Sequence, residues 1–307
     1  MPASDVRLIL CSDIHLSDHA PIFRSTEPDW FEAMARPLRE LGDAADHYGV
    51  PIVIAGDVFH KWNSSPALIN FALDELPNAY AIPGQHDLPH HRYEDIEQSA
   101  YWTLVKAGKL INLEPDKPIE VNGIVLHGFP WNAQLKPCEE GDLCLHLAVV
   151  HKYIWSDPSD SYPGANSADH IAGWIIRQLT GFDAMVFGDN HKGFLINKTE
   201  AQPPILNSGG FMKRSKDDAD RVPSFGLLHG DGTIERWAVN CKQDKCLEQE
   251  EHGLTAEPVD ADLLEFISQL QQLGDDSLDF EAAVRRYCRD NDVDEETTAI
   301  VMEIFPQ

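Results

Sequence analysis

Apolar residues along the chain follow two rhythms. Short continuous runs closed by Gly, Asp or Ser read as buried strands, and stretches with apolar positions three or four apart read as amphipathic helices. Arg7–Cys11 predicts a strand ending at Ser12-Asp13, Asp29–Tyr48 a helix, and Pro51–Ala55 a strand ending at Gly56-Asp57. Ser65–Leu76 predicts a helix capped by Ser64 or Ser65, Ala79–Ile82 a strand ending at Pro83-Gly84, and Tyr93–Ala107 a further helix. Strand and helix in this alternation indicate an α/β architecture.

The middle of the chain is richer in strands. Ile119–Val121 and Ile124–His127 flank Asn122-Gly123, a two-residue hairpin signal. Leu145–Val150 predicts a buried strand, Ser167–Leu179 a helix, and Ala184–Phe187 a strand running into Gly188. Ser224–His229 and Thr233–Val239 flank a Gly230-Asp231-Gly232 turn. Beyond Asn240 the rhythm breaks into a polar, acidic stretch, followed by short helical patterns over Ala261–Leu273, Phe280–Arg289 and Glu295–Ile304. The expected organisation is a catalytic domain over residues 1–240, an acidic linker over 241–258 and a helical appendage over 259–307, with no internal repeat.

Composition adds limits. The 307 residues are 43% hydrophobic and 24% charged, ordinary for a globular chain with a sizeable core. No run approaches the ~20 apolar residues of a membrane span, and Met1 to Arg7 lacks a signal pattern, so the cytoplasm is the expected location. The six cysteines have no zinc-finger spacing and read as reduced thiols. With 24 basic and 51 acidic residues the formal charge is −27, which argues against tight, non-specific binding of DNA by the isolated chain.

The chemistry lies where the strands end. Asp13-Ile14-His15, Gly56-Asp57, Gln85-His86-Asp87 and Asp189-Asn190-His191 each follow a predicted strand, and a fifth strand delivers His151. Ligands of open α/β sheets collect outside the carboxyl ends of the strands, so these clusters can converge on one rim. Carboxylate, amide and imidazole donors without thiolate suit Mn²⁺ or Mg²⁺. Each cluster alone is a weak signal, but five in order are a strong one.

The ordered set resembles the calcineurin-like metallophosphoesterase superfamily, whose motifs run D-x-H, G-D, G-N-H-D, H and G-H-x-H. Ser12 to Leu16, Gly56 to His60 followed by Ser65-Pro66, and Val150 to Trp155 are similar to SbcD-type DNA repair exonuclease subunits, the shorter phage-encoded ones above all. The resemblance covers roughly residues 6–240. It implies a four-layer sandwich of two packed mixed sheets flanked by helices, with a small C-terminal helical appendage. It also implies two divalent ions, Mn²⁺ before Mg²⁺. Asp13, His15 and His191 would hold the first, Gln85, His151 and Asp189 the second, and Asp57 would bridge them. A hydroxide between the ions would attack phosphorus in line. His86 would face the leaving oxygen as general acid or positive stabiliser, and Asp87 would orient its ring. Two positions depart from the family pattern, Gln85 for Asn and Asp189 for His, and both fall on the second metal.

Other residues carry weaker expectations. His60 either reaches the site or the substrate or packs behind it, and His60, Lys152, Tyr153, Lys213 and Arg214 are the candidate substrate contacts, with Lys61 and Lys192 beside other motifs. Trp62, Trp131, Tyr153 and Trp155 are candidates for stacking on unpaired bases. His90 and His91 read as surface residues, and His127 and Cys11 as core. The tail is expected to dock on an SbcC-like ATPase or to cap its own domain, and a homodimer stays open. In a phage-encoded protein the location would be the host cytoplasm. Three functions follow: a DNA nuclease of recombination or repair, a phosphoesterase acting on small nucleotides or phosphoesters, and a weakly active scaffold subunit of an ATPase–nuclease complex.

Overall fold

In chain order the strands are β1 (Val6–Cys11), β2 (Ile52–Ala55), β3 (Ala79–Ile82), β4 (Leu110–Asn112), β5 (Ile119–Val121), β6 (Ile124–Phe129), β7 (Leu145–His151), β8 (Ala184–Gly188), β9 (Phe194–Ile196), β10 (Ile205–Asn207), β11 (Ser224–His229) and β12 (Ile234–Ala238). The α-helices are α1 (Trp30–Tyr48), α2 (Pro66–Glu75), α3 (Ala100–Lys106) and α4 (Ala172–Ile175). This computed structural model describes residues 5–139, 144–157 and 171–247. The helices predicted after Ala261, the linker beyond Leu247 and the start of the helix predicted over Ser167–Leu179 lie outside the described residues.

The described strands form two six-stranded sheets, ordered β12-β11-β1-β2-β3-β4 and β5-β6-β7-β8-β10-β9. The first sheet is parallel from β1 to β4 and antiparallel at β11 and β12; the second is parallel from β6 to β10 and antiparallel at its β5 and β9 edges. The two-residue period of a strand sorts its side chains. Leu8, Leu10, Val53 and Ala55 of the first sheet meet Leu126, Leu147, Val149 and Val186 of the second. On the first sheet's other face Ile9, Cys11, Ile52 and Ile54 pack with Met34, Leu38 and Leu41 of α1 and Leu68 of α2. The second sheet turns Ala148, Val150, Met185 and Phe187 outward onto Ala172 and Ile175 of α4. The result is the expected four-layer sandwich of two mixed sheets and flanking helices. No helix among the described residues is long and apolar enough to cross a membrane.

Local signals explain most boundaries. Asp29 caps α1 by accepting from Glu32 N at 3.1 Å, and left-handed Gly49 ends it. Ser65 caps α2 with Pro66 in its first turn. Asn122 and Gly123 both have positive φ, 51° and 78°, as a type I′ hairpin turn requires. The helix predicted over Tyr93–Ala107 is instead a 3₁₀ segment, Tyr93–Gln98, followed by α3. Ser99 breaks it: its backbone is extended and its hydroxyl caps α3 by accepting from Trp102 N. β4, β9 and β10 have three residues each and were not predicted, because so short a run has no readable period and, unlike β5, none is marked by a two-residue hairpin signal.

Residues 241–247, within the expected linker, are anchored. Asp244 Oδ1 lies 3.1 Å from Arg24 Nη2 and 3.2 Å from Arg36 Nη2, and Lys245 N donates to Glu27 Oε1. Arg24 and Glu27 pair at 2.6 Å with both side chains 1% exposed. Glu27 also holds Arg36 Nη2 at 2.9 Å, so removing Arg24 takes one of two cations from a buried carboxylate and costs part of the about 3–5 kcal/mol of a fully stranded one. Arg24→Ala is therefore expected to lower the thermal midpoint well below wild type. Lys136→Ala, which breaks an ion pair with Asp116 in which both side chains are half exposed or more, should cost no more than about 1 kcal/mol. Equal midpoint losses in the two variants would contradict this account.

Candidate metal centre

The site is built from the loops that leave β1, β2, β3 and β8 and from the last residue of β7. Asp13, His15, Asp57 and Asp189 all have positive φ, 53°, 51°, 54° and 86°. A left-handed residue directly after a strand turns the chain sharply, so the side chain stays at the sheet rim. Each such residue costs about 1–3 kcal/mol and persists only where its surroundings hold it. Here the first two loops are zipped together beyond the sheet: Asp13 N donates to Gly56 O, His15 N to Asp57 O and Leu16 N to Val58 O, at 2.9–3.0 Å. The chain also approaches too closely for side chains at two glycines. A Cβ on Gly84 would lie 2.1 Å from Asp57 Oδ1, and one on Gly56, whose φ is +92°, would lie 2.0 Å from His151 Nδ1.

The metal-capable atoms converge. Asp57 Oδ2 lies 3.5 Å from His15 Nε2 and 3.5 Å from His151 Nε2. Asp57 Oδ1 accepts from His86 N at 3.0 Å. His15 Nε2 and His191 Nε2 are 3.0 Å apart, and His191 Nε2 is 3.7 Å from Asp13 Oδ1. On the other side His151 Nε2 is 2.7 Å from Gln85 Oε1, and Gln85 Nε2 donates to Asp189 Oδ1 at 2.8 Å. These residues form the overlapping donor groups Asp13–His15–His191 and Asp13–Asp57–His151, and His15 also groups with His60 and His86. The extra methylene of Gln85 does not carry its carbonyl away from His151.

Divalent ions fit these residues. Asp57 Oδ2 is buried and has no hydrogen-bond partner, so a full carboxylate charge is left for a cation. His151 Nδ1 lies 2.7 Å from Ala55 O, which fixes the N–H on that nitrogen and leaves Nε2 as the ligating atom. His191 is 46% exposed at its side chain, so the group opens to solvent on that side.

Burial and charge act strongly on the groups without metal. Burial opposes ionisation of Asp57, but the positive charge of His151 at 3.5 Å, together with His15, holds it well below the usual carboxylate range. Burial pushes Asp13 upward against the pull of His191 and His151. Burial keeps His15 neutral. Burial likewise disfavours charge on His151, but Asp57 outweighs it and raises the imidazole to about 10.

One expected role is corrected. Asp87 does not orient His86: its oxygens accept from Val58 N, Phe59 N and Gly84 N at 2.9–3.1 Å. It is a brace between two ligand loops, raised to about 7 by burial and by the Asp57 charge. The His86 ring is held instead by the carbonyl of His60, 2.9 Å from its Nδ1, and stacks on the His60 ring. Lys213 and Arg214 are engaged by the protein's own groups, and Arg214 also lines the cleft on the His15 side. Lys213 Nζ donates to Ala219 O, and Arg214 Nη1 donates to His15 O at 2.7 Å and to Ser17 Oγ at 3.2 Å. Burial lowers Arg214 to about 10.

Lys152 and Tyr153 line a small cleft with His151, Asp189 and Trp131. His60 and Lys61 line a larger cleft on the His15 side. Trp155 is 6% exposed and packs inside the fold, so it is not a stacking platform. His90 and His91 are exposed.

The segment after β10 was missed by the sequence reading. Phe211 N donates to Asp13 O and Gly210 N to His191 O, clamping two ligand loops. Arg221 holds this segment through Gly210 O and Met212 O. Its only signal is Asn207-Ser208-Gly209-Gly210, a turn sequence closing a strand too short to be predicted.

The sequence profile of the calcineurin-like phosphoesterase family matches residues 6–193, and the chain belongs to that family of metal-dependent hydrolases. Among solved structures it is similar to a metallophosphoesterase from Sphaerobacter thermophilus, at 14% identity over 78% of this chain and 91% of that one, with a TM-score of 0.36. It is similar to the calcineurin-like phosphoesterase YfkN from Bacillus subtilis, at 13% identity over 77% and 89%, TM-score 0.43. It is also similar to the sulfate thiohydrolase SoxB from Thermus thermophilus, at 11% identity over 90% and 62%, TM-score 0.45. These likenesses concern the fold alone. No curated protein sequence matches the chain.

Two outcomes are expected. His151 is raised above its ordinary value, so without metal it stays protonated below about pH 10, and a ligating ion must displace that proton. Metal affinity therefore rises with pH from 7 towards 10 and binding releases protons. Calorimetry in buffers of different ionisation enthalpy would show the release, and a pH-independent affinity would contradict it. Arg214→Ala frees the His15 loop and is expected to weaken metal binding by about 10–100-fold, read by the same titration, with Lys213→Ala close to wild type.

Proposed function

We propose that the chain is a nuclease of the SbcD type that hydrolyses phosphodiester bonds in DNA during recombination or repair. The observation that carries hydrolysis is Asp57 Oδ2, buried, unpartnered and 3.5 Å from an imidazole nitrogen of each donor group. Asp13, His15 and His191 would hold one divalent ion, and His151, Gln85 and Asp189 the other, with Asp57 between them. Bound ions supply Lewis-acid polarisation of the phosphoryl oxygens and of the attacking water. We take Mn²⁺ as the native metal from the donor set.

The chain's own groups do the rest. With its Nδ1 engaged by the His60 carbonyl, His86 presents Nε2 for a proton that can be passed to the leaving oxygen. Asp87 keeps the Gly84 and Phe59 backbones in register, so that His86 N stays on Asp57 Oδ1.

Support for a polymeric substrate comes from the two clefts. One, of about 870 Å³, carries Lys61, Asn63 and Ser64 on the His15 side. The other, of about 130 Å³, carries Trp131, Lys152 and Tyr153 on the His151 side. A strand crossing the centre would find cations for phosphates on both sides and a ring for a base. The motif resemblance supports an SbcC-like ATPase as partner, which would also supply the basic surface that this acidic chain lacks.

The formal charge of −27 favours a second reading, hydrolysis of small phosphoesters. Under Mn²⁺, linear DNA, cyclic nucleotides and nitrophenyl phosphates are offered in parallel. The nuclease reading expects DNA to be cut with the highest kcat/KM. Turnover confined to the small esters would establish the alternative. His86→Asn is expected to lower kcat by about 10²–10⁴ with the metal content unchanged. A variant with wild-type kcat would remove His86 from proton transfer.

A further inference from the structure

A second group of metal-ligating side chains gathers on the outer face of the second sheet, away from the rim that carries Asp57. Ile124 and Leu126 of β6, and Leu145, Leu147 and Val149 of β7, face the core between the sheets. The two-residue period therefore turns His127 and His146 to the opposite face. There His127 Nε2 lies 3.0 Å from His146 Nδ1, and Cys138 Sγ lies 3.4 Å from the same nitrogen. The three ligand atoms are all within 4.8 Å of one another, and His146 is 3% exposed.

One ordinary two-centre hydrogen bond does not bring two atoms onto a single ring nitrogen. A ring nitrogen has one in-plane lobe, either an N–H or a lone pair, and so makes one good hydrogen bond. His146 Nδ1 has an imidazole nitrogen and a thiol converging on it together. A tetrahedral zinc ion, with Zn–N about 2.0–2.1 Å and Zn–S about 2.3 Å, sets its nitrogens about 3.3 Å apart and nitrogen from sulfur about 3.5 Å. The observed separations lie within a few tenths of an ångström of both.

We propose that His127, Cys138 and His146 form a zinc site distinct from the phosphoesterase centre. The donors are positioned by independent backbone contacts. Cys138 N donates to Thr180 O at 2.9 Å, and Gly181, at φ +88°, leaves room for the Cys138 carbonyl, which a Cβ there would approach to 2.3 Å. His146 N donates to Asp183 Oδ2 at 2.8 Å, and Asp183 N returns to His146 O at 2.9 Å. The Phe182 ring stands edge-on to His127 at 5.0 Å and shields one side. His127 also lines a cleft of about 490 Å³, which gives an ion a route from solvent. One thiolate with two imidazoles suits a borderline ion such as zinc or copper, whereas the carboxylates, amide and imidazoles of the rim suit harder ions. The ion would tie the segment around Cys138 to β6 and β7.

Cobalt distinguishes the two centres, because the described donors at the rim include no sulfur. The full chain is stripped of metal and reconstituted with Co²⁺, and its sulfur-to-cobalt charge-transfer band and tetrahedral visible bands are recorded. Wild type and Asp57→Ala are expected to show both, with added zinc abolishing the charge-transfer band. Cys138→Ser is expected to lose the charge-transfer band while still binding metal at the rim. His127→Gln, on the cleft side of the cluster, serves as a second variant and should release cobalt at lower chelator concentration. A wild-type spectrum without the band, or a band that survives in Cys138→Ser, would overturn the assignment.

Discussion

The molecule is organised around an ionised carboxylate that the protein itself leaves short of partners. Asp57 is fully buried, one oxygen takes the His86 amide, and the other has no hydrogen bond. Burying such a charge is expensive unless a counter-charge answers it. His15 and His151 stand at equal distances on either side. Without metal, the proton on His151 answers the carboxylate, and a divalent cation would answer it more fully. Ligand affinity, protonation and folding are therefore linked through one side chain.

This arrangement spans the two sheets. Asp13, Asp57 and Gln85 leave strands of the first, while His151 and Asp189 leave strands of the second. The packing of Leu10, Ala55, Val149 and Val186 between the sheets thus sets the distances in the centre. Left-handed backbone at four of the site residues stores strain that the local braces hold in place. Asp87, Arg214 and Arg221 act through carbonyls and amides of the ligand loops, so their removal would be felt at the metal without their touching it.

Much of the site was legible because each ligand closes a strand, and strand ends in α/β sheets share one rim. Gln85 and Asp189, which depart from the family pattern, still reach their places because they lie on the same loops as His86 and His191. What could not be read was direction. Asp87 follows His86 in sequence, yet it points back to the amides of Val58 and Phe59. Lys213 and Arg214 look like a basic patch as letters, but both are turned onto backbone carbonyls. His127 reads as a core histidine in an apolar strand; its partner residues lie across a strand pair and a loop, beyond the reach of any spacing rule. Short elements such as β10, and the brace that follows it, were missed because three residues carry no period and no two-residue hairpin signal marks them.

The central claim is that Asp57 joins two cations. Crystals grown with Mn²⁺ and measured by anomalous diffraction at the manganese edge test it most directly. The account predicts two anomalous peaks about 3.5–4 Å apart, one against Asp13, His15 and His191 and the other against Gln85, His151 and Asp189, with the Asp57 carboxylate between them. A single peak, or a pair that leaves Asp57 Oδ2 uncoordinated, would contradict it.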